Sequence, residues 1–392
     1  MRHVYFDGTH RTRPPEETWE TIRPLLGSYG VTRVADVTGL DDLGIPVTMA
    51  VRPLGRTLSV AQGKGTTLAA ARVSGAMEAI EAWHGERAVP ETMFRAPADH
   101  LDLPYPVTAL EAHPGSLVTS RTVLEWITAQ SLTDGTPVAV PAASVRLGRQ
   151  VHDAWRLHLP SSSTNGLASG NTRAEGLCHA LYELIERDVI SDLSDGQRPV
   201  AAQRIDPGSV EDAGCATLIG RLSRARIWFE LWSLPNRFGV PVMVCYLWRE
   251  DQPTLVVSGS GAHLDPHIAL SRAVTEAAQT RLTQITGSRE DIHPLAFRPG
   301  THSAPSHDRG PTAAWGQIIR PYVTGHATDE GEAAYLAAVV AARAGVSPLA
   351  VDLSWGQFHR RDLHVVKVIA PHLRYVSRHT IPRPTSTKAA AA

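Results

Sequence analysis

The sequence predicts an α+β fold of mixed sheets with packed helices, and three observations carry that prediction. Strand-patterned and helix-patterned stretches alternate irregularly, without the regular βαβ rhythm of a doubly wound sheet. Two apolar strand runs, residues 226–232 and 240–248, are joined by a short turn around Pro235-Asn236-Arg237-Phe238-Gly239, which marks an antiparallel pair. A chain of 392 residues can also bury a large core, as one large domain or two fused ones.

The elements follow in order. A cationic opening, His10-Arg11-Thr12-Arg13, leads through Pro14-Pro15 into an amphipathic stretch over 18–29 with a helix start near Thr18. Those cations either reach phosphates from outside the main domain or belong to a disordered terminus. Residues 31–38 and 45–53 alternate like strands. A first acidic helix follows, and then a Pro- and turn-rich region over 88–157 with strand runs at 124–129 and 137–141. Beyond a second acidic helix and the strand pair comes a further strand over 254–261. Gly287-Ser288-Arg289 closes a third helix. Residues 297–315, rich in Pro, Gly, Ser and His, read as a mobile surface loop, either a lid or a plain insertion. An Ala-rich helix over 331–343 and two strands over 349–353 and 364–371 complete the pattern, and 381–392 reads as a flexible tail.

Composition excludes several function classes. A formal net charge of −1 provides no field to recruit nucleic acid or an anionic membrane. No apolar run reaches the ~18 residues of a membrane span, and no signal peptide opens the chain. The three cysteines, Cys178, Cys215 and Cys245, show no paired spacing, and the 18 histidines are scattered without H-E-x-x-H spacing. A reducing cytoplasm is the expected home.

The chemistry is concentrated in the acidic helices. In Ser74-x-x-x-Glu78-x-x-Glu81 the three side chains sit at roughly 0, 40 and −20° around a helix, one narrow stripe. In the second segment Glu175, His179, Tyr182, Glu183 and Glu186 share one face opposite Leu177, Ala180, Leu181, Leu184 and Ile185. Glutamates at such spacing are ordinarily a solvated face. Here each helix follows a run of small residues, Gly63-Lys64-Gly65-Thr66-Thr67 and Ser161 through Thr172, suited to an anion at a helix N-terminus. Like charges gathered beside a buried edge require cations, and all-oxygen ligation points to Mg²⁺ carrying a polyphosphate. Lys64 either reaches a phosphate as a point charge or caps a surface turn. Trp83 and His84 are assigned to packing. No G-x-x-x-x-G-K-[ST] motif occurs.

Gly63-Lys64-Gly65 with Ser74, Glu78 and Glu81, then Asn165 through Thr172 with Glu175, Glu183, Glu186 and Arg187, then Arg272-x-x-x-Glu276 with Gln279 and Arg281, together resemble the three signature blocks of the YcaO family. The similarity runs in order from about residue 55 to about 295. It implies a YcaO-like ATP-binding fold without a Walker motif, with a catalytic domain over 56–380 and an N-terminal segment, 1–55, packed on it. It further implies ATP and Mg²⁺ as cofactors. Glu78, Glu81, Glu175, Glu183, Glu186 and Glu276 would hold metal or lie next to its ligands, and Lys64, Ser74, Ala168, Asn171, Arg187 and Arg272 would contact the nucleotide. One departure stands out: relatives often carry Arg after the second glutamate, whereas Glu81 is followed by Ala82, so Arg87 or an N-terminal arginine would have to replace it.

The opening, with Gly8-Thr9-His10-Arg11 and residues 30–41, resembles the stand-alone subset associated with a TfuA partner, which makes peptide thioamides. An amide oxygen leaves only after conversion to a phosphate ester. Sulfide addition then yields a thioamide, whereas attack by a neighbouring Cys, Ser or Thr of the substrate yields an azoline. The expected activity is therefore ATP-dependent thioamidation of a ribosomally synthesised precursor peptide with a TfuA-like partner. Azoline-forming cyclodehydration is the alternative, and a non-catalytic ATP-binding peptide scaffold is the alternative of another class. Only Pro382 and Pro384 echo the alternating-proline ending of heterocycle-forming relatives. A homodimer is the expected assembly.

Overall fold

The computed structural model describes residues 4–6, 8–113, 115–148, 158–161, 163–195, 201–291, 311–322, 326, 328–355, 363–375 and 381–384. The loop expected over 297–315 falls largely outside them, as does the tail beyond Pro384. A short hairpin, β1 (Val4–Phe6) and β2 (Thr9–Arg11), leads into α1 (Pro15–Ile22). The expected helix over 18–29 stops at Ile22 and tightens into a 3₁₀ segment, Arg23–Tyr29, because Pro24 has no N–H to extend an α-helical ladder. Gly30 ends it at φ 72°. Strands β3 (Arg33–Asp36), β4 (Val47–Val51) and β5 (Val60–Lys64) form an antiparallel sheet covered by α2 (Leu68–Arg87). The proposed break at residue 55 therefore falls between two strands of one sheet.

A second sheet has the order β6-β7-β14-β15-β9, with β8 also on β7. Its strands are β6 (Phe94–Pro97), β7 (Val123–Ser131), β8 (Pro137–Pro141), β9 (Leu167–Gly170), β14 (Leu349–Asp352) and β15 (His364–Ile369). Between β9 and β14 the chain adds α3 (Arg173–Asp195) and a third sheet, β10 (Gln203–Arg204) to β11 (Trp228–Ser233), β12 (Val242–Arg249) and β13 (Gln252–Ala262). Helices α4 (Ala213–Arg224), α5 (Pro266–Thr286), α6 (Trp315–Ile319) and α7 (Asp329–Ala344) complete the set. Every strand pairing named here is antiparallel, including the two pairs expected from sequence, β11 with β12 and β14 with β15.

The uninterrupted apolar run of β12 has a physical reason, because alternate side chains enter two different cores. Val242, Val244 and Tyr246 pack with α3 and α7, while Met243, Cys245 and Leu247 pack with α4 and α5. β15 divides likewise, with Val366 and Val368 in the first of these cores and Val365 beside α2 and Trp126. Helix α4 went unread in the sequence, although Cys215, Leu218, Ile219 and Leu222 form an apolar stripe and Asp212 caps it through the Cys215 N–H at 2.8 Å. The last described segment is not free: Tyr246 donates to the Pro382 carbonyl at 2.8 Å, and Arg383 forms a bidentate pair with Glu230.

Candidate active site

Three strand-to-helix units, β5–α2, β9–α3 and β13–α5, point their helices at one cavity of about 670 Å³. Two glycines serve close packing of helix on sheet. Gly63 lies in β5, and a Cβ there would come within 2.1 Å of the Ala71 carbonyl and the Gly75 nitrogen, so the bare backbone lets α2 lie directly on the sheet. Gly259 serves α5 in the same way, with a built Cβ 2.1 Å from the Ala277 nitrogen. Part of each expected small-residue loop is strand: Gly63 and Lys64 belong to β5 and Leu167–Gly170 is β9, both paired in sheets.

All twelve residues singled out from sequence line this one cavity: Lys64, Ser74, Glu78, Glu81, Ala168, Asn171, Glu175, Glu183, Glu186, Arg187, Arg272 and Glu276. Ser74 Oγ accepts the Lys64 N–H at 3.3 Å, tying β5 to α2. Lys64 itself caps no surface turn; its ammonium pairs with the Glu276 carboxylate across the cavity. Ser169 donates to Glu81, the Gly166 N–H donates to Glu183 at 3.0 Å, and Ser260 donates to Glu186 at 2.6 Å. Each unit therefore steadies a carboxylate with a group from a neighbouring strand.

Burial raises the pKa of Glu78, Glu183 and Glu186, and takes Glu81 to about 8, with Glu78 and Glu183 adding like-charge repulsion. At Glu276 burial also pushes upward, but Lys64 and Arg187 outweigh it and the net shift is downward. Arg187 is held above its usual value because Glu183, Glu186 and Glu276 together outweigh burial. A set of carboxyls that ionise reluctantly fits a multivalent cation with oxygen ligands, which is the donor chemistry of Mg²⁺. Glu175 fits less well as a ligand. Its oxygens are taken by the Thr12 N–H and hydroxyl, by Asn171 and by Arg11, so it anchors the N-terminal segment.

Cations are set among these carboxylates. Arg11 and Arg13 line the cavity, carried in by the β1–β2 hairpin, and Arg289 faces Glu78. His179 lies between Arg11 and Arg272, with the Arg272 guanidinium 2.8 Å from Nδ1. Burial and these two cations hold the imidazole well below its usual pKa, so it is neutral. Arg272 is lowered to about 10 by burial and by Arg11. Arg87, a candidate to replace the arginine missing after Glu81, is exposed and outside the cavity wall. Trp83 and His84 pack as expected, with His84 fully buried against Tyr29.

Residues 62–374 match the family model described as YcaO cyclodehydratase, ATP- and Mg²⁺-binding. The chain belongs to the YcaO family. An uncharacterised Mycobacterium tuberculosis protein is 36% identical over 381 residues, covering 93% of this chain and 83% of the relative. An uncharacterised protein in the tfuA 3′ region of Rhizobium leguminosarum bv. trifolii is 36% identical over 310 residues, covering 75% and 72%. The structure of YcaO from Methanopyrus kandleri bound with AMPPCP and Mg²⁺ superimposes with a TM-score of 0.71 at 26% identity, covering 94% of each chain. This YcaO protein is an ATP-dependent peptide-modifying enzyme whose cofactors are ATP and Mg²⁺. Among the described residues no helix is long and apolar enough to cross a membrane.

Proposed function

We propose that this YcaO enzyme installs a backbone thioamide in a ribosomally synthesised precursor peptide, with a TfuA-like protein as partner. The observation that carries this reading is the 36% identical relative in a tfuA 3′ region. Three unpaired, buried cysteines are in keeping with a reducing cytoplasm.

In this reading Glu78, Glu81, Glu183, Glu186 and Glu276 hold Mg²⁺, and Ser74, Ala168, Asn171, Arg187 and Arg272 border the nucleotide. Magnesium-bound ATP supplies the phosphoryl group that turns the amide oxygen into a leaving group. Lys64 keeps Glu276 ionised and correctly placed. Arg11 and Arg13 take the role of the arginine missing after Glu81 and balance phosphate charge from the N-terminal side. Glu175 orients Asn171 and Arg11. Ser169, Ser260 and the Gly166 N–H fix carboxylate rotamers so that little reorganisation accompanies binding.

Azoline formation is the second reading, favoured by the cyclodehydratase description of the family model. Intact-mass analysis of a candidate peptide incubated with the enzyme, ATP, the partner protein and a sulfide source decides between them. Oxygen-to-sulfur exchange adds about 16 Da and cyclodehydration removes about 18 Da. A loss of ~18 Da without any gain refutes thioamidation.

A further inference from the structure

A second cluster of ligand-type side chains lies away from the glutamate cavity, where the N-termini of α4 and α5 meet. Asp212 is the N-cap of α4, and Cys215 follows one turn later with 2% exposure. His267 enters from the first turn of α5, whose own cap is Asp265. One ligand atom from each of Asp212, Cys215 and His267 lies within 4.8 Å of the other two. The sequence conceals this arrangement, because Cys215 and His267 are 52 residues apart and neither sits in a paired motif.

Three further observations point to a cation there. His267 Nδ1 is buried without a hydrogen-bond partner. Asp212 and Asp265 both add negative potential at Cys215, and among the described residues neither carboxylate has an ion-pair partner. Asp212 accepts the Cys215 N–H on Oδ1 at 2.8 Å and its side chain also hydrogen-bonds the Cys215 thiol, so carboxylate and sulfur already face each other.

We propose that Asp212, Cys215 and His267 form a zinc site that clasps the start of α4 to the start of α5. A tetrahedral zinc ion spaces its ligand atoms roughly 3.3–3.8 Å apart, so small side-chain rotations bring this triad into register, and solvent takes the fourth position. Sulfur and imidazole donors select zinc over magnesium, which sets this site apart from the all-oxygen cavity. Binding releases one proton to solvent, because the Cys215 thiol must become a thiolate. The clasp fixes the first turn of α5, the helix that carries Arg272 and Glu276 toward the cavity.

The test uses the full chain, freed of metal and reloaded with Zn²⁺ in competition with a chromophoric chelator, or with Co²⁺ as a spectroscopic probe. One tightly held equivalent of zinc is expected, and the cobalt form should show a thiolate-to-metal charge-transfer band that metal held by glutamates cannot produce. Cys215→Ser should abolish the band and weaken zinc binding by more than about tenfold, whereas Cys178→Ala should leave both intact. Should Cys215→Ser fail to fold, His267→Gln and the wild-type cobalt spectrum carry the decision. A cobalt-loaded wild type without the band, or a band and zinc affinity unchanged in Cys215→Ser, overturns the proposal.

Discussion

Replacing Glu81 by Gln should strengthen the metal-free fold while it weakens the binding of magnesium nucleotide, and the two signs together test the site. The carboxyl is raised from 4.5 to about 8, chiefly by burial, with Glu78 and Glu183 adding to it. A carboxyl whose folded-state pKa is raised gives its full stability below the unfolded value and loses it as pH climbs through the folded value. For Glu81 that window is pH 4.5 to about 8. At pH 7 linkage sets an upper bound of about 3 kcal/mol on the loss, and water in the open cavity reduces it to about 1 kcal/mol. With an unfolding entropy of about 2.1 cal/mol/K per residue, Glu81→Gln should raise the Tm of the apoprotein by about 1–4 °C at pH 7. The gain should shrink toward pH 4.5. The amide oxygen can still accept from Ser169, so the change removes charge and little else. Calorimetry at several pH values without divalent ions measures the first effect. Titration with Mg²⁺ and a non-hydrolysable ATP analogue measures the second, expected as a loss of affinity of about tenfold or more. A pH-independent destabilisation, or undiminished nucleotide affinity, would refute the view that Glu81 waits for a cation.

Three other outcomes follow from named contacts. Glu183→Gln should abolish peptide-dependent ATP turnover while a peptide pull-down still works; turnover that persists would favour a scaffold over an enzyme. Arg11→Ala combined with Arg13→Ala should raise the KM for ATP by on the order of tenfold with a smaller change in kcat, measured by steady-state ATPase assay, because phosphate charge is balanced in the ground state as well. Arg52→Met should destabilise by about 3–5 kcal/mol in urea denaturation, since Glu86, 0% exposed at its side chain, would keep a buried charge without the two 2.7 Å guanidinium bonds.

The sequence revealed the glutamates more readily than the frame that holds them. Ser74, Glu78 and Glu81 share a stripe by helical geometry alone, and the closing pair β14 and β15 followed from short apolar runs. The runs 63–67 and 161–172 suggest anion-binding loops, but small residues serve two purposes, approach to an anion and approach of a helix. Only the packing shows that Gly63 faces Ala71 and Gly75. The placement of Arg11 and His179 has a different origin. Their meaning lies in a contact 168 residues apart in the chain, Arg11 with His179, which no local pattern encodes.

The architecture explains how a chain without a phosphate-binding loop motif can assemble a nucleotide-sized acidic cavity. In each unit a strand ends beside a helix that runs back across it, and at β5 and β13 a glycine allows the backbones to touch. Close backbone approach places the middle turns of α2, α3 and α5 around common space, and Ser169, Ser260 and the Gly166 N–H then meet carboxylates on the helices. The arrangement is costly while the cavity lacks cations, since four of its carboxyls are shifted upward. Two sheet-spanning apolar cores on either face of β12 supply the rigidity that holds those charges together. A substitution that loosens β13 against α5, such as Gly259→Ala with its Cβ forced to 2.1 Å from the Ala277 nitrogen, should therefore damage metal binding and stability together, whereas Glu81→Gln should separate them.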